Sequence, residues 1–196
     1  MAKNWWRGLK TKVRFDEPLN NKTTIRIGGE AQFFIEPENI AELKEFLVLA
    51  KKNKIPVLVL GAGSNVLVAD KGIAAVVIRL SSAFFREINF NKNHATVGSG
   101  LMLCELIKKN QEHSFSGAEF LAGVPGTLGG ALAMNAGAWG KCIAELVEKV
   151  IVMDFNGNLK TLSKEDFKFS YRKSSLAKYI ILSACLKLPF LNLNLR

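Results

Sequence analysis

The stretch Gly117–Gly140, GAEFLAGVPGTLGGALAMNAGAWG, concentrates glycine, alanine and one proline at a density that neither an ordinary helix nor an ordinary strand tolerates. Inside a helix each glycine costs about 1 kcal/mol against alanine. Repetition therefore needs a reason: left-handed backbone, close packing of two elements, or approach of backbone to a ligand. Ala122-Gly123-Val124-Pro125-Gly126-Thr127, followed by Leu128-Gly129-Gly130-Ala131, reads as a turn feeding a short helix of small residues. Pro125 and Gly126 supply the turn, and Thr127 is the expected N-cap. A helix N-terminus ringed by exposed amides is a ready phosphate site. A tightly packed crossover with no ligand accounts for the same residues, and the stretch alone leaves both open.

A second glycine device lies upstream. Val57-Leu58-Val59-Leu60 reads as a buried strand running into Gly61-Ala62-Gly63-Ser64-Asn65. Gly61 and Gly63 admit positive φ, so successive amides can converge on one anion, with Ser64 and Asn65 adding side-chain donors. A tight hairpin turn is the plainer alternative. The run that follows, Val66-Leu67-Val68, is strand-like. That argues against a Rossmann site, which needs strand, G-x-G-x-x-G and then helix. No Lys-Ser/Thr pair follows to make a P-loop.

The surrounding pattern is short helices scattered among many short strands. Asn39 caps a helix whose apolar positions are Ile40, Leu43, Phe46, Leu47 and Ala50, ending in Lys51, Lys52, Asn53 and Lys54. Strands are expected at Asn21–Glu30 (broken by Gly28-Gly29), Ala31–Glu36, Ala74–Leu80 and Lys178–Leu188. Phe84–Phe90 and Ala95–Gly98 read as a hairpin, and Leu101–Asn110 as an amphipathic helix. Leu146–Phe155 and Leu159–Leu162 flank Asn156-Gly157, the strongest short hairpin signal in the chain. Ser163 with Asp166 begins a one-turn helix, and Phe169–Ser175 is a polar loop. Irregular alternation of this kind gives an α+β fold with glycine turns gathered where two sheets meet.

Composition narrows the function. The chain has 196 residues, 48% hydrophobic and 22% charged, the balance of a globular protein of one domain or two small ones sharing a core. No apolar run reaches the roughly 18 residues of a membrane span, and the basic N-terminus lacks a signal-peptide core. A cytoplasmic protein without membrane attachment is expected. Cys104, Cys142 and Cys185 are far apart and set among apolar residues, with no CxxC and no His at ligand spacing. Reduced core thiols and no metal are expected. His94 and His113 are expected at the surface. The net charge of +10 calls for anionic partners. Lys and Arg are interleaved with acids rather than clustered, so the signature of a nucleic-acid face is missing. A diffuse field would attract nucleotide ligands equally well, and simple solubility charge accounts for the same balance. An RNA- or anion-binding module without catalysis is the alternative.

Four segments in order, IRIGG (Ile25–Gly29), VLGAGSNVLV (Val59–Val68), EFLAGVPGTLGGALAMNAGA (Glu119–Ala138) and YRKS (Tyr171–Ser174), closely resemble the UDP-N-acetylenolpyruvoylglucosamine reductase (MurB) family. The resemblance runs from about Leu19 to about Leu188. It implies an FAD-binding domain of the vanillyl-alcohol-oxidase (PCMH) type, an α+β unit of two subdomains with the flavin between them. The implied boundaries are an arm at 1–20, the FAD-binding domain at 21–188 with subdomains at 21–80 and 81–188, and a tail at 189–196. By resemblance, Gly61, Ala62, Gly63, Ser64, Asn65, Val66 and Leu67 hold the FAD pyrophosphate. Ala122, Gly123, Pro125, Gly126, Thr127, Gly129, Gly130 and Ala131, with Asn135, Ala136 and Gly137, form the opposite wall. Tyr171 and Arg172 face the substrate. The guanidinium suits a carboxylate and the enolate-like charge of hydride transfer. The implied reaction passes hydride from NADPH through FAD to UDP-N-acetylglucosamine enolpyruvate, a step of peptidoglycan precursor synthesis, in a monomeric enzyme. The family continues into a third, substrate-binding domain carrying a Ser proton donor and a late Glu. Pro189–Arg196 does not resemble it, so a truncated chain keeping the FAD-binding part is the expectation. A related flavin oxidase is disfavoured, because no His or Cys is set for covalent flavin attachment.

Overall fold

A computed structural model describes residues 6, 9 and 12–190 of the chain. The first sheet begins with β1 (Val13–Pro18) and β2 (Glu30–Ile35), an antiparallel pair in which Val13 faces Ile35. Helix α1 (Ile40–Lys52) then crosses over to β3 (Val57–Val59), and β4 (Ile73–Ile78) completes the order β1-β2-β4-β3. β4 runs parallel to both β2 and β3, which requires crossovers of this length between them. Asn39 caps α1 by accepting from the Glu42 amide at 3.0 Å, as the sequence predicts. The buried face of α1, Leu43, Phe46, Leu47 and Ala50, packs with Phe33, Ile35, Val76 and Ile78 of the sheet.

The second sheet starts with the hairpin β5 (Ile88–Asn91) and β6 (His94–Gly98), followed by α2 (Leu103–Glu112) and α3 (Leu128–Met134). A short hairpin, β7 (Gly137–Ala138) with β8 (Lys141–Cys142), leads into β9 (Val147–Met153) and β10 (Leu159–Ser163). The β9–β10 turn is drawn tight by Asp154, whose carboxylate accepts from the amides of Asn156 and Asn158. Another short hairpin, β11 (Phe169–Ser170) with β12 (Lys173–Ser174), precedes β13 (Ile180–Lys187). The sheet order is β10-β9-β13-β6-β5, antiparallel throughout. β13 is buried on both faces. Ile180 and Leu182 join the α1 core, whereas Ile181, Ala184 and Leu186 join the core under α2 and α3. The two sheets thus share their hydrophobic interior.

Several sequence expectations change here. The arm at 1–20 contains a strand, because Val13–Pro18 has an open edge of β2 to pair with. Trp6 packs edge-on against Phe15 with centroids 4.7 Å apart, and Trp5 lies outside the described residues. Asn21–Gly29 is not a strand: its amides go to loops instead, Thr24 to the Gly63 carbonyl and Gly29 to the Ala69 carbonyl. Val66-Leu67-Val68 pairs with no strand either. Phe84 belongs to a single 3-10 turn over Ala83–Arg86, so the hairpin begins only at Ile88. The polar loop at 169–175 is the β11–β12 hairpin, turned by Tyr171 and Arg172 with Arg172 at φ 54°. Of the tail, Pro189 and Phe190 are described, and Phe190 stacks on Phe115 at 4.9 Å. Among the described residues, no helix is long and apolar enough to cross a membrane, and no group of His, Cys, Asp or Glu could hold a metal ion.

Candidate functional site

The parallel strands end where the second sheet begins, and a cleft of about 480 Å³ opens there. Crevices beyond the carboxyl ends of parallel strands are the usual ligand sites of such sheets, and the volume suits a small molecule. Val57–Gly61 and Arg79–Ser81 form the first wall. Thr127, Gly129, Gly130 and Ala133 of the α3 region form the second, and Ser99, Gly100, Met102, Phe155, Ala177, Tyr179 and Ile181 close the remainder. β3 is an edge strand, not the buried one expected: Leu58 and Val59 are 39% and 38% exposed, and both line the cleft.

The two glycine segments converge. The Ser64 hydroxyl donates to the Pro125 carbonyl at 3.0 Å. A Cβ on Gly61 would stand 2.8 Å from Thr127 Oγ1, so only glycine lets the segments approach this closely. Within the first loop, Gly63 has φ 68° and lies against the Lys22 carbonyl. No carbonyl or side chain among the described residues accepts from the amides of Gly61 to Asn65. Unpartnered N–H groups are what the anion cradle expected from the sequence requires.

The start of α3 behaves differently. Thr127 is the N-cap, its side chain accepting from the Gly130 amide at 3.3 Å. The Leu128 amide donates to the Leu101 carbonyl at 2.9 Å and the Gly129 amide to the Ser99 carbonyl at 2.8 Å. The expected ring of exposed amides at this helix start is therefore absent, because the chain itself satisfies them. What α3 presents to the cleft is the bare surface of small residues.

Positive charge reaches the cleft through Arg79 and Arg86. Arg86 pairs with Glu105 at 2.7 Å. Behind the first wall, Glu36 accepts from both Ser81 and Arg14. Burial works to raise the Glu36 pKa, but the bonds from Ser81 and Arg14 and the charges of Arg14 and Arg79 outweigh it, holding this carboxyl below the usual range.

Of the residues singled out in the sequence, Gly61, Thr127, Gly129 and Gly130 line the cleft, and Ser64, Pro125 and Gly126 join its two walls. Ala62, Gly63 and Asn65 belong to the free-amide loop. Leu67 points to solvent and Val66 packs inward against the first sheet. Ala122 and Gly123 are exposed at the turn before Pro125. Ala131 and Ala136 are core residues. Gly137 is explained by strand pairing, since a Cβ there would lie 2.3 Å from the Lys141 carbonyl. Tyr171, 88% exposed, and Arg172 do not line the cleft; they form the tip of the β11–β12 hairpin. Asn135, left-handed at the end of α3, ties that hairpin down by donating to the Ser170 carbonyl at 3.0 Å. Sequence reading misses Arg79, Ser81, Arg86, Ser99, Gly100, Phe155 and Tyr179. The one available signal was Gly98-Ser99-Gly100 at the end of a strand, a third glycine turn. A Cβ on Gly98 would stand 2.2 Å from the Phe85 carbonyl, and one on Gly100 1.8 Å from the Leu80 carbonyl.

Comparison with known proteins bears on the family and the fold. Residues 31–163 match the family model described as FAD binding domain. The chain is 44% identical over 181 residues to a UDP-N-acetylenolpyruvoylglucosamine reductase of Clostridioides difficile, covering 91% of this chain and 59% of that protein. It thus spans about three fifths of that relative's length. The crystal structure of UDP-N-acetylenolpyruvylglucosamine reductase (MurB) from Thermus caldophilus superposes with a TM-score of 0.76 at 33% identity, over 92% of this chain and 63% of that one. Physcomitrella patens BBE-like 1 shares the fold, with a TM-score of 0.73 at 16% identity over 97% of this chain and 44% of the other.

Proposed function

The chain belongs to the FAD binding domain family, and on that premise we propose that it is the cofactor-binding part of a flavin reductase acting on UDP-N-acetylenolpyruvoylglucosamine. The observation that carries this reading is the loop Gly61–Asn65, whose amides are unpartnered among the described residues and whose Gly61 lines the cleft together with Thr127, Gly129 and Gly130. A pyrophosphate is the group such a loop suits, and Arg79 and Arg86 add positive charge to the same cavity. The apolar faces of Leu58, Val59 and Phe155 suit the flat rings of a dinucleotide. The residues present fit FAD.

When bound, FAD supplies a carrier that can take hydride from NADPH and deliver it to a vinyl carbon. The chain's own residues bind and orient. Gly61–Asn65 hold the phosphates, while Thr127, Gly129, Gly130 and Ala133 let the cofactor lie close to the backbone of α3. Arg172 binds the carboxylate of an enolpyruvyl substrate and stabilises negative charge developing beside it, and Tyr171 orients that substrate by hydrogen bonding. Both sit at the tip of the β11–β12 hairpin, outside the cleft lining. The reaction belongs to peptidoglycan precursor synthesis in the cytoplasm.

Reconstitution tests the proposal. The purified chain, incubated with FAD and desalted, is expected to retain flavin absorbance and to lose it when Ser64 and Gly61 are replaced. A folded wild-type chain that emerges colourless from saturating FAD would refute it.

A further inference from the structure

We propose that Ser99 is a cofactor-binding residue of the cleft, its hydroxyl forming a hydrogen bond with the bound dinucleotide; this rests on the FAD reading above. Ser99 lines the cleft and is only 3% exposed, yet its Oγ has no hydrogen-bond partner. A buried hydroxyl left unpaired costs about 1–3 kcal/mol, so each such group needs an explanation. Strand structure does not provide one. The Ser99 backbone is fully used, its amide donating to the Leu182 carbonyl at 2.9 Å and its carbonyl accepting from Gly129 at 2.8 Å.

The surroundings hold that hydroxyl in place. Gly98 and Gly100 fix the backbone on either side by their close approach to the Phe85 and Leu80 carbonyls. A Cβ on Gly129 would stand 3.0 Å from the Ser99 Cβ, so the start of α3 packs directly against Ser99 and limits where its side chain can go. A hydroxyl can donate to a carbonyl or ring nitrogen and accept from an amine or ribose hydroxyl, all of which FAD carries. An alanine would serve the fold at least as well, which leaves the ligand as the group this oxygen serves.

The test compares Ser99→Ala with wild type in two measurements, thermal unfolding of the cofactor-free chain and FAD affinity by quenching of flavin fluorescence. Removing an unpartnered hydroxyl should leave the cofactor-free midpoint unchanged or raised, while FAD binding weakens about 3- to 10-fold. These opposite directions are what a purely structural serine would not produce. Equal FAD affinity in the two proteins would overturn the assignment, as would a lowered cofactor-free midpoint. If neither protein binds FAD while both remain folded, the FAD reading itself has failed, and the wild type alone reveals it.

Discussion

The two walls of the cleft are both rich in glycine, yet they use it differently. In the first wall the loop Gly61–Asn65 leaves its amides free, and Ser81 of the same wall is tied to Glu36, which also accepts from Arg14. In the second wall the first-turn amides of α3 are all taken, by Leu101, Ser99 and Thr127. There the glycines contribute absence of bulk. One wall therefore presents polarity to a ligand and the other presents closeness. Two segments that look alike in composition are not interchangeable in what they do.

Substitutions can break or sharpen that contrast. The largest effect is expected at Gly63, where φ is 68° and a Cβ would stand 2.2 Å from the Lys22 carbonyl. Gly63→Ala combines left-handed strain with overpacking and should destabilise the chain by about 2–4 kcal/mol in urea unfolding. A midpoint equal to wild type would show that this loop does not depend on its glycine.

In the second wall, Gly130 has a negative φ, and its nearest neighbour to an added Cβ is Thr127 Oγ1 at 3.6 Å, ordinary contact. Gly130→Ala should stabilise the cofactor-free chain by up to about 1 kcal/mol through helix propensity, while lowering FAD affinity. If affinity rises along with stability, the small-residue wall is packing and nothing more.

Acid should distinguish the walls most gently. The lowered pKa of Glu36 means that it contributes stability above the usual glutamate value of about 4.3, and that this contribution disappears as pH falls toward the folded value. For a partly exposed network the loss should not exceed about 1 kcal/mol. Glu36→Gln should remove that part of the acid limb between pH 5 and 3, read by unfolding at each pH. Thr127, Gly129, Gly130 and Ala133 carry no titratable group, so the second wall should not respond. An unchanged acid limb in Glu36→Gln would mean that this tie does not hold the first wall.

Much of this was legible in the residues. Asn39 marked the start of α1, Thr127 the start of α3, and Asn156-Gly157 the β9–β10 turn, because capping and turn chemistry act within a few residues. The convergence of two glycine segments was legible through their resemblance to a family. The strand Val13–Pro18 was not, because its pairing depends on an edge that β2 leaves open. The exposure of Leu58 and Val59 was not either: an apolar run looks the same whether it faces a core or a cleft.

By itself, then, the sequence determined where helices begin, where hairpins turn, and that two glycine loops need an unusual reason to exist. Those are local matters of φ, capping and propensity. Only the tertiary structure decided which amides remain unpaired, which glycines make room for a neighbour, and that Ser99, Arg79 and Arg86 share a cavity with Gly61. Those depend on contacts between residues far apart in the chain, which close packing alone can bring together.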